Sequence, residues 1–242
     1  MKIALAIRGL VRRPGYSSVD GDDSASVEWC LGNVQRIRDM FVNAGHEVDV
    51  FFSSWDVPNA RNLSVALTAS MNGYSKLLYQ PTLDEAFEIL PVEPVWFRDP
   101  TSCWHHTMTV YGTFAQSKGV MEAVRDSGKE FDYICATRPD IEFSVSDIND
   151  WIRPNTFVVP AVNFVNFNDH FGVAPAADMI KIYTPTDQEL IEVVDKSLDT
   201  ESVLKNLIEK NNVQIDTNIN INQYKIRDVD HLMMYKRDCG LL

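Results

Sequence analysis

The sequence predicts an α/β protein, in which helices pack on a sheet of strands. Two features of the chain lead to this prediction. Short apolar runs alternate with longer segments whose apolar residues recur at helical spacing. Polar residues directly follow several of the short runs, as they do where strands end at the edge of a sheet. In such sheets ligands bind outside the carboxyl ends of the strands, so functional residues are expected there.

The predicted strands are short apolar runs bounded by polar or turn-forming residues. They lie at 3–7, 47–52, 75–79, 133–136, 157–161 and 171–174, with a last strand within 213–224. After the run at 133–136 the apolar pattern is interrupted by Arg138-Pro139-Asp140 and resumes at Ile141.

The predicted helices lie at 26–43, 82–89, 111–127 and 176–183, with two more between 186 and 210. The first is the clearest, because Val27, Leu31 and Val34 recur at helical spacing and Gly45 follows where the helix ends. The interval 59–110 carries weaker patterns, and only the strand at 75–79 and the helix at 82–89 are predicted within it.

Composition is that of a globular protein, with 45% hydrophobic and 23% charged residues. The net charge of −12 argues against a nucleic-acid partner, since that needs a basic face. No apolar run approaches the roughly 18 residues of a transmembrane segment. The first apolar run is followed by Arg8, Arg12 and Arg13 instead of a cleavage site, so we expect no signal peptide and a cytoplasmic location.

Several enzyme fingerprints are missing from the sequence. No G-x-G-x-x-G follows the first strand, and no P-loop, G-x-S-x-G or H-E-x-x-H motif occurs. The four cysteines include no C-x-x-C pair, which argues against a zinc knuckle or a disulfide framework. His105 and His106 are adjacent, and adjacent side chains on a strand point to opposite faces, so we interpret them as loop or edge residues.

The most informative motif is Arg138-Pro139-Asp140, at the end of a buried strand. A guanidinium offers a rigid fork of donors to phosphate oxygens, and a carboxylate is a ligand that Mg²⁺ or Mn²⁺ takes while it also binds phosphate. Proline disfavours helix at Arg138, so the two side chains are expected on an extended turn. The alternative is a surface salt bridge at a strand end.

A second polar cluster, Asn168-Asp169-His170, interrupts an apolar stretch. Asp169 could take a proton from a hydroxyl nucleophile, and His170 could bind phosphate or a metal. The alternative is a loop in which Asp169 caps backbone groups.

These motifs, in this order, resemble small GT-A-type glycosyltransferases of bacterial polysaccharide clusters and large DNA viruses. The resemblance rests on the segments 2–9, 49–55, 131–141 and 168–174, and it covers most of the chain. It implies a GT-A-like (Rossmann-like) mixed sheet with helices on both faces, in a single domain of residues 1–242. Within it, 1–145 would form the nucleotide-binding half, and 146–242 the acceptor-side half with the C-terminal helices.

The resemblance also implies a function. The protein would move a sugar from a nucleoside-diphosphate sugar, with a UDP-sugar favoured, to a hydroxyl of a glycan or glycoconjugate acceptor. A divalent cation, Mn²⁺ or Mg²⁺, would assist. Arg8, Gly9, Arg12 and Trp55 would bind the nucleotide and its diphosphate.

For the chemistry, the resemblance assigns Asp140, with His170, to the metal, and Arg138 and Asp169 to catalysis. Asp169 would be the base or else an anchor for the acceptor hydroxyl. The sequence departs from the usual D-x-D motif, because Arg138 stands where the first carboxylate normally lies. Either Arg138 neutralises diphosphate charge and Asp140 is the one motif ligand, or metal dependence is weak or absent.

Two alternatives belong to other functional classes. One is a non-catalytic module of the same fold that binds a nucleotide-sugar or carbohydrate. The other is an unrelated α/β nucleotide enzyme, such as a kinase or nucleotidyltransferase; the missing P-loop argues against the kinase.

Overall fold

A computed structural model describes residues 1–11, 23–90, 100–160, 170–194, 200–217 and 221–226. The helices are α1 (Ser24–Asn43), α2 (Pro58–Met71), α3 (Leu83–Ile89), α4 (Pro100–Asp126), α5 (Ala176–Tyr183), α6 (Asp187–Val194) and α7 (Thr200–Lys210). The strands are β1 (Lys2–Arg8), β2 (Glu47–Trp55), β3 (Tyr74–Leu78), β4 (Tyr133–Thr137), β5 (Ile141–Val145), β6 (Thr156–Val158), β7 (Phe171–Pro175), β8 (Gln214–Asp216) and β9 (Ile221–Ile226).

Seven of these strands form one mixed sheet in the order β3-β2-β1-β4-β7-β6-β8. The first four in that order run parallel to one another. β7 is antiparallel to both β4 and β6, and β8 is parallel to β6. β5 and β9 pair in a separate antiparallel ribbon. The prediction of a mixed α/β sheet is confirmed.

Helices cover both faces of the sheet, because the central strands carry apolar side chains on both sides. In β1, Ile3, Leu5 and Ile7 face the core beneath α1 and α2. Ala4 and Ala6 face the other core, which α4 to α7 cover. The small alanines leave room for α4, which packs across β1, β2 and β3. Among the described helices, none combines the length and the apolar character that a membrane crossing requires.

Most predicted elements are confirmed within a few residues, including α1, α3, α5, α6 and α7. α2 was not predicted, although Ala60, Leu63 and Leu67 recur at helical spacing and are buried. α4 begins at Pro100, earlier than expected, so the interpretation of His105 and His106 as loop or edge residues was wrong: the backbone there is helical. The single last strand expected within 213–224 is divided into β8 and β9.

A glycine in β7 tests how tightly this strand packs beside β6, its neighbour in the sheet. A Cβ on Gly172 would lie 2.6 Å from Cε1 of Phe157, so Gly172→Ala forces the ring or the strand to move. We expect it to lower the free energy of unfolding by about 1–3 kcal/mol in urea denaturation. Gly32→Ala is the control, because no atom lies within 4 Å of a Cβ there and alanine favours the α1 helix. Equal stability of the two variants would contradict this packing.

Candidate functional site

The strand ends that carry the predicted site residues meet at one edge of the sheet. In register, Arg8 of β1 lies beside Ser53 of β2, and Thr137 at the end of β4 lies beside Ile7. After β1 the chain adds β2 and then β3 on one side of β1 in the sheet. It then crosses back and adds β4 on the other side of β1. The space between β1 and β4 is therefore a topological switch point, where open α/β sheets bind ligands.

Just beyond β4, Arg138 and Asp140 form a bidentate ion pair. Nε of Arg138 donates to Oδ1 of Asp140 at 2.8 Å, and Nη2 donates to Oδ2 at 2.6 Å. The carboxylate is buried, whereas 28% of the Arg138 side chain is exposed. The alternative expected from the sequence was a surface salt bridge. A salt bridge is present, but it does not lie at the surface: its carboxylate is buried, and the guanidinium is its outer, partly exposed member.

The turn that carries this pair is anchored from α1. Asn33 is buried in that helix, and its Nδ2 donates to the carbonyl of Pro139 at 3.2 Å. Gly9, at the end of β1, has a φ of +117° and lies beneath Arg138, whose Cγ would be 3.5 Å from an added Cβ. A side chain at Gly9 would be strained at this φ. Glycine therefore lets the turn close over the end of β1.

Two of the predicted nucleotide-binding residues, Arg8 and Trp55, are buried and contact aromatic rings on the helices. Arg8 is buried, and its Cζ lies 5.6 Å from the centroid of the Tyr183 ring on α5, a cation–π contact. Trp55 is also buried and stacks on Tyr111 of α4, with 6.4 Å between the ring centroids. Burial raises the pKa of Tyr111, so this ring stays a neutral phenol. Trp55 therefore helps to pack β2 against α4, whatever it contacts in a ligand.

Antiparallel pairing of β7 with β4 brings His170 to the same edge. Phe171 lies beside Thr137 in register, so His170 lies next to the β4 end that leads into Arg138. Arg12 and Asp169 lie outside the described residues, and their roles stay predictions.

Buried amides are the main site feature that the sequence analysis missed. Asn33 is one, and Asn59 at the start of α2 is the other. Oδ1 of Asn59 accepts from the backbone N–H of Asp23 at 2.8 Å, and its Nδ2 donates to the carbonyl of Val11 at 3.4 Å. Asn59 thus holds the two described residues that flank the segment of Arg12. Its position after Pro58 at the start of a helix was the available signal.

Small polar residues at the strand ends add three buried hydroxyls. Those of Ser53, Ser54 and Thr137 have no hydrogen-bond partner among the described residues. A buried hydroxyl without a partner lowers the free energy of unfolding by about 1–3 kcal/mol.

Cys135 of β4 supplies no reactive group, because complete burial raises the pKa of its thiol well above the ordinary value.

The residues at this edge do not fit a divalent cation in the arrangement described. Both oxygens of Asp140 already accept from Arg138. Two unit charges 4 Å apart interact by about 4 kcal/mol at an effective dielectric constant of about 20, so a divalent ion on Asp140 would be strongly repelled by the guanidinium. In the described part of the chain, no group of three or more His, Cys, Asp or Glu residues could hold a metal ion. Asp140 and His170 as metal ligands stay predictions.

No protein-family model and no curated protein sequence matches the chain. Solved structures of glycosyltransferases are similar to it at low identity. An active-site mutant of LgtC is 13% identical over 89% of this chain and 72% of that chain, with a TM-score of 0.49. Galactosyltransferase LgtC with donor and acceptor sugar analogues is 13% identical, over 89% and 73%, with a TM-score of 0.48. Mouse xyloside xylosyltransferase 1 is 10% identical, over 89% and 83%, with a TM-score of 0.40. Identities and TM-scores this low carry no argument about function, which therefore rests on the chain's own residues.

The burial asymmetry of the Arg138–Asp140 pair predicts unequal costs of removing its members. Arg138→Ala leaves a buried carboxylate without its guanidinium, and we expect a loss of about 3–5 kcal/mol in the free energy of unfolding. Asp140→Ala removes the carboxylate from the more exposed Arg138, so it should lower the free energy of unfolding by less than Arg138→Ala does. Arg36→Ala is the control, because its pair with Glu142 is partly exposed and should be worth about 0–1 kcal/mol. Urea denaturation measures all three; similar losses for Arg138→Ala and Arg36→Ala would argue against a buried pair.

Proposed function

We propose that this protein is a glycosyltransferase that moves a sugar from a nucleoside-diphosphate sugar to a hydroxyl of a glycan or glycoconjugate. The UDP-sugars are the favoured donors. The observation that carries the proposal is the guanidinium of Arg138, held by Asp140 beside the switch point between β1 and β4. A fixed, partly exposed cation at this position suits the diphosphate of a donor.

Glycosyl transfer builds negative charge on the departing diphosphate. A donor group that is already fixed in place stabilises this charge more in the transition state than in the ground state. Arg138 suits that role because Asp140 and the Asn33-anchored turn hold it. Gly9 supports the role by allowing the turn to approach β1 closely. We assign the nucleotide to this side, within residues 1–145.

The acceptor hydroxyl needs a base, and Asp169 is our candidate for it. His170, the next residue in the sequence, lies at the same edge as the β4 end, which supports this choice. In this proposal residues 146–242 form the acceptor side of a single domain. Attack assisted by a carboxylate opposite the leaving group suits an inverting enzyme.

A donor screen tests the function directly. UDP-, GDP-, dTDP- and CMP-sugars are added to the full chain, and the melting temperature is measured for each. Selective binding to the native state should raise it by mass action for one nucleotide, with UDP-sugars expected. Consumption of that donor in the presence of glycan acceptors then separates an enzyme from a non-catalytic binding module. If no nucleotide-sugar shifts the melting temperature, the proposal fails.

Substitution of the guanidinium tests the proposed site. Arg138→Lys keeps the charge beside Asp140 but loses the planar fork, so kcat should fall by roughly 10²–10³-fold. Arg125→Lys is the matched control, because Arg125 is exposed in the last turn of α4, away from the carboxyl edge. Steady-state transfer rates with the identified donor measure both variants. A normal kcat in Arg138→Lys would remove Arg138 from the proposed chemistry.

A further inference from the structure

We propose that Asp140 positions Arg138 and is not a metal ligand, and that this chain binds the donor's diphosphate without a divalent cation. The inference rests on the proposed function, because it specifies how that function's site holds its donor. It replaces the expectation that Asp140 binds Mn²⁺ or Mg²⁺.

The two members of the pair differ in how far they reach the surface. The Asp140 side chain is 1% exposed and that of Arg138 is 28% exposed. An arriving ion therefore meets the guanidinium before the carboxylate. A cation is repelled by such a surface, whereas a phosphate oxygen is attracted to it. The electrostatics of the pair thus select an anion.

Asp140 orients Arg138 through one edge of its guanidinium, taking one N–H from Nε and one from Nη2. A guanidinium carries five N–H groups, so an arginine held in this way can also donate to a second anion. The 28% of the Arg138 side chain that is exposed is where a diphosphate would contact it. Fixing the fork before the ligand arrives lowers the entropy cost of binding.

The backbone on both sides of Asp140 is held in place. Pro139 precedes it, and the Pro139 carbonyl accepts from the buried Asn33. Ile141 follows it and is fully buried at the start of β5. With the backbone held, Asp140 could turn outward to a metal only by rotating its side chain, which would break both hydrogen bonds to Arg138. The next acid along the chain, Glu142, contacts Arg36 of α1 at 3.1 Å.

The test measures diphosphate binding with and without metal. UDP, GDP and dTDP are titrated into the full chain by calorimetry, in EDTA and then in Mn²⁺. For the nucleotide that binds, we expect affinities in the two buffers that agree within about threefold. Asp140→Asn should weaken binding by about 10- to 100-fold in both buffers, because it disorders the charged hydrogen bonds to Arg138. Glu142→Gln, the control with the same change of charge, should bind like the wild type.

Two results would overturn the inference and are distinct from each other. If the wild type binds a nucleotide only in Mn²⁺, and Asp140→Asn abolishes that binding, Asp140 is a metal ligand while the proposed function stands. If none of the three nucleotides binds in either buffer, the proposed function itself fails. The wild-type comparison requires no variant, so a folding defect in Asp140→Asn cannot hide the answer.

Discussion

A buried charge is the constraint around which this edge of the protein is organised. Asp140 is excluded from solvent, and a buried carboxylate is tolerated only when it is paired and hydrogen-bonded. Arg138 supplies that pairing in the bidentate geometry that arginine alone provides. Asn33 and Gly9 then make the local backbone compatible with the pair, the first by a hydrogen bond and the second by its conformation. Because the buried acid must be paired, Arg138 is held in a fixed orientation at the surface.

Sheet topology explains why this cation lies where a ligand can bind. β1 and β4 are neighbours, and the strands of this sheet that follow each of them in the chain lie on opposite sides of the pair, which makes their carboxyl ends a topological switch point. The antiparallel β7 adds a second source of side chains, because its amino end lies at the same edge. His170 therefore arrives from the C-terminal half at the place where Arg8 and Arg138 arrive from the N-terminal half. The two-substrate reaction proposed above requires residues from both parts of the chain at one site.

The charge distribution is compatible with the anionic donor proposed above, although the protein is acidic. The net charge is −12, yet two arginines lie at or next to the ends of the adjacent strands β1 and β4. At physiological salt, charges beyond about 8 Å in solvent are largely screened, so these local cations decide what binds. Arg8 is further buried beside the Tyr183 ring, where a cation interacts with the face of the aromatic ring.

The sequence by itself determined the fold class, most of the helices and strands, and the edge at which Arg8 and Arg138 lie, because apolar periodicity and strand-end residues are local signals. It did not determine α2 or the start of α4, where polar residues weaken the periodicity. Nor did it determine that Arg138 and Asp140 would pair with each other below the surface. That depends on burial, which the α1 contact and the β5 strand impose from outside the motif. Tertiary packing decided it, since a carboxylate removed from water takes the nearest cation.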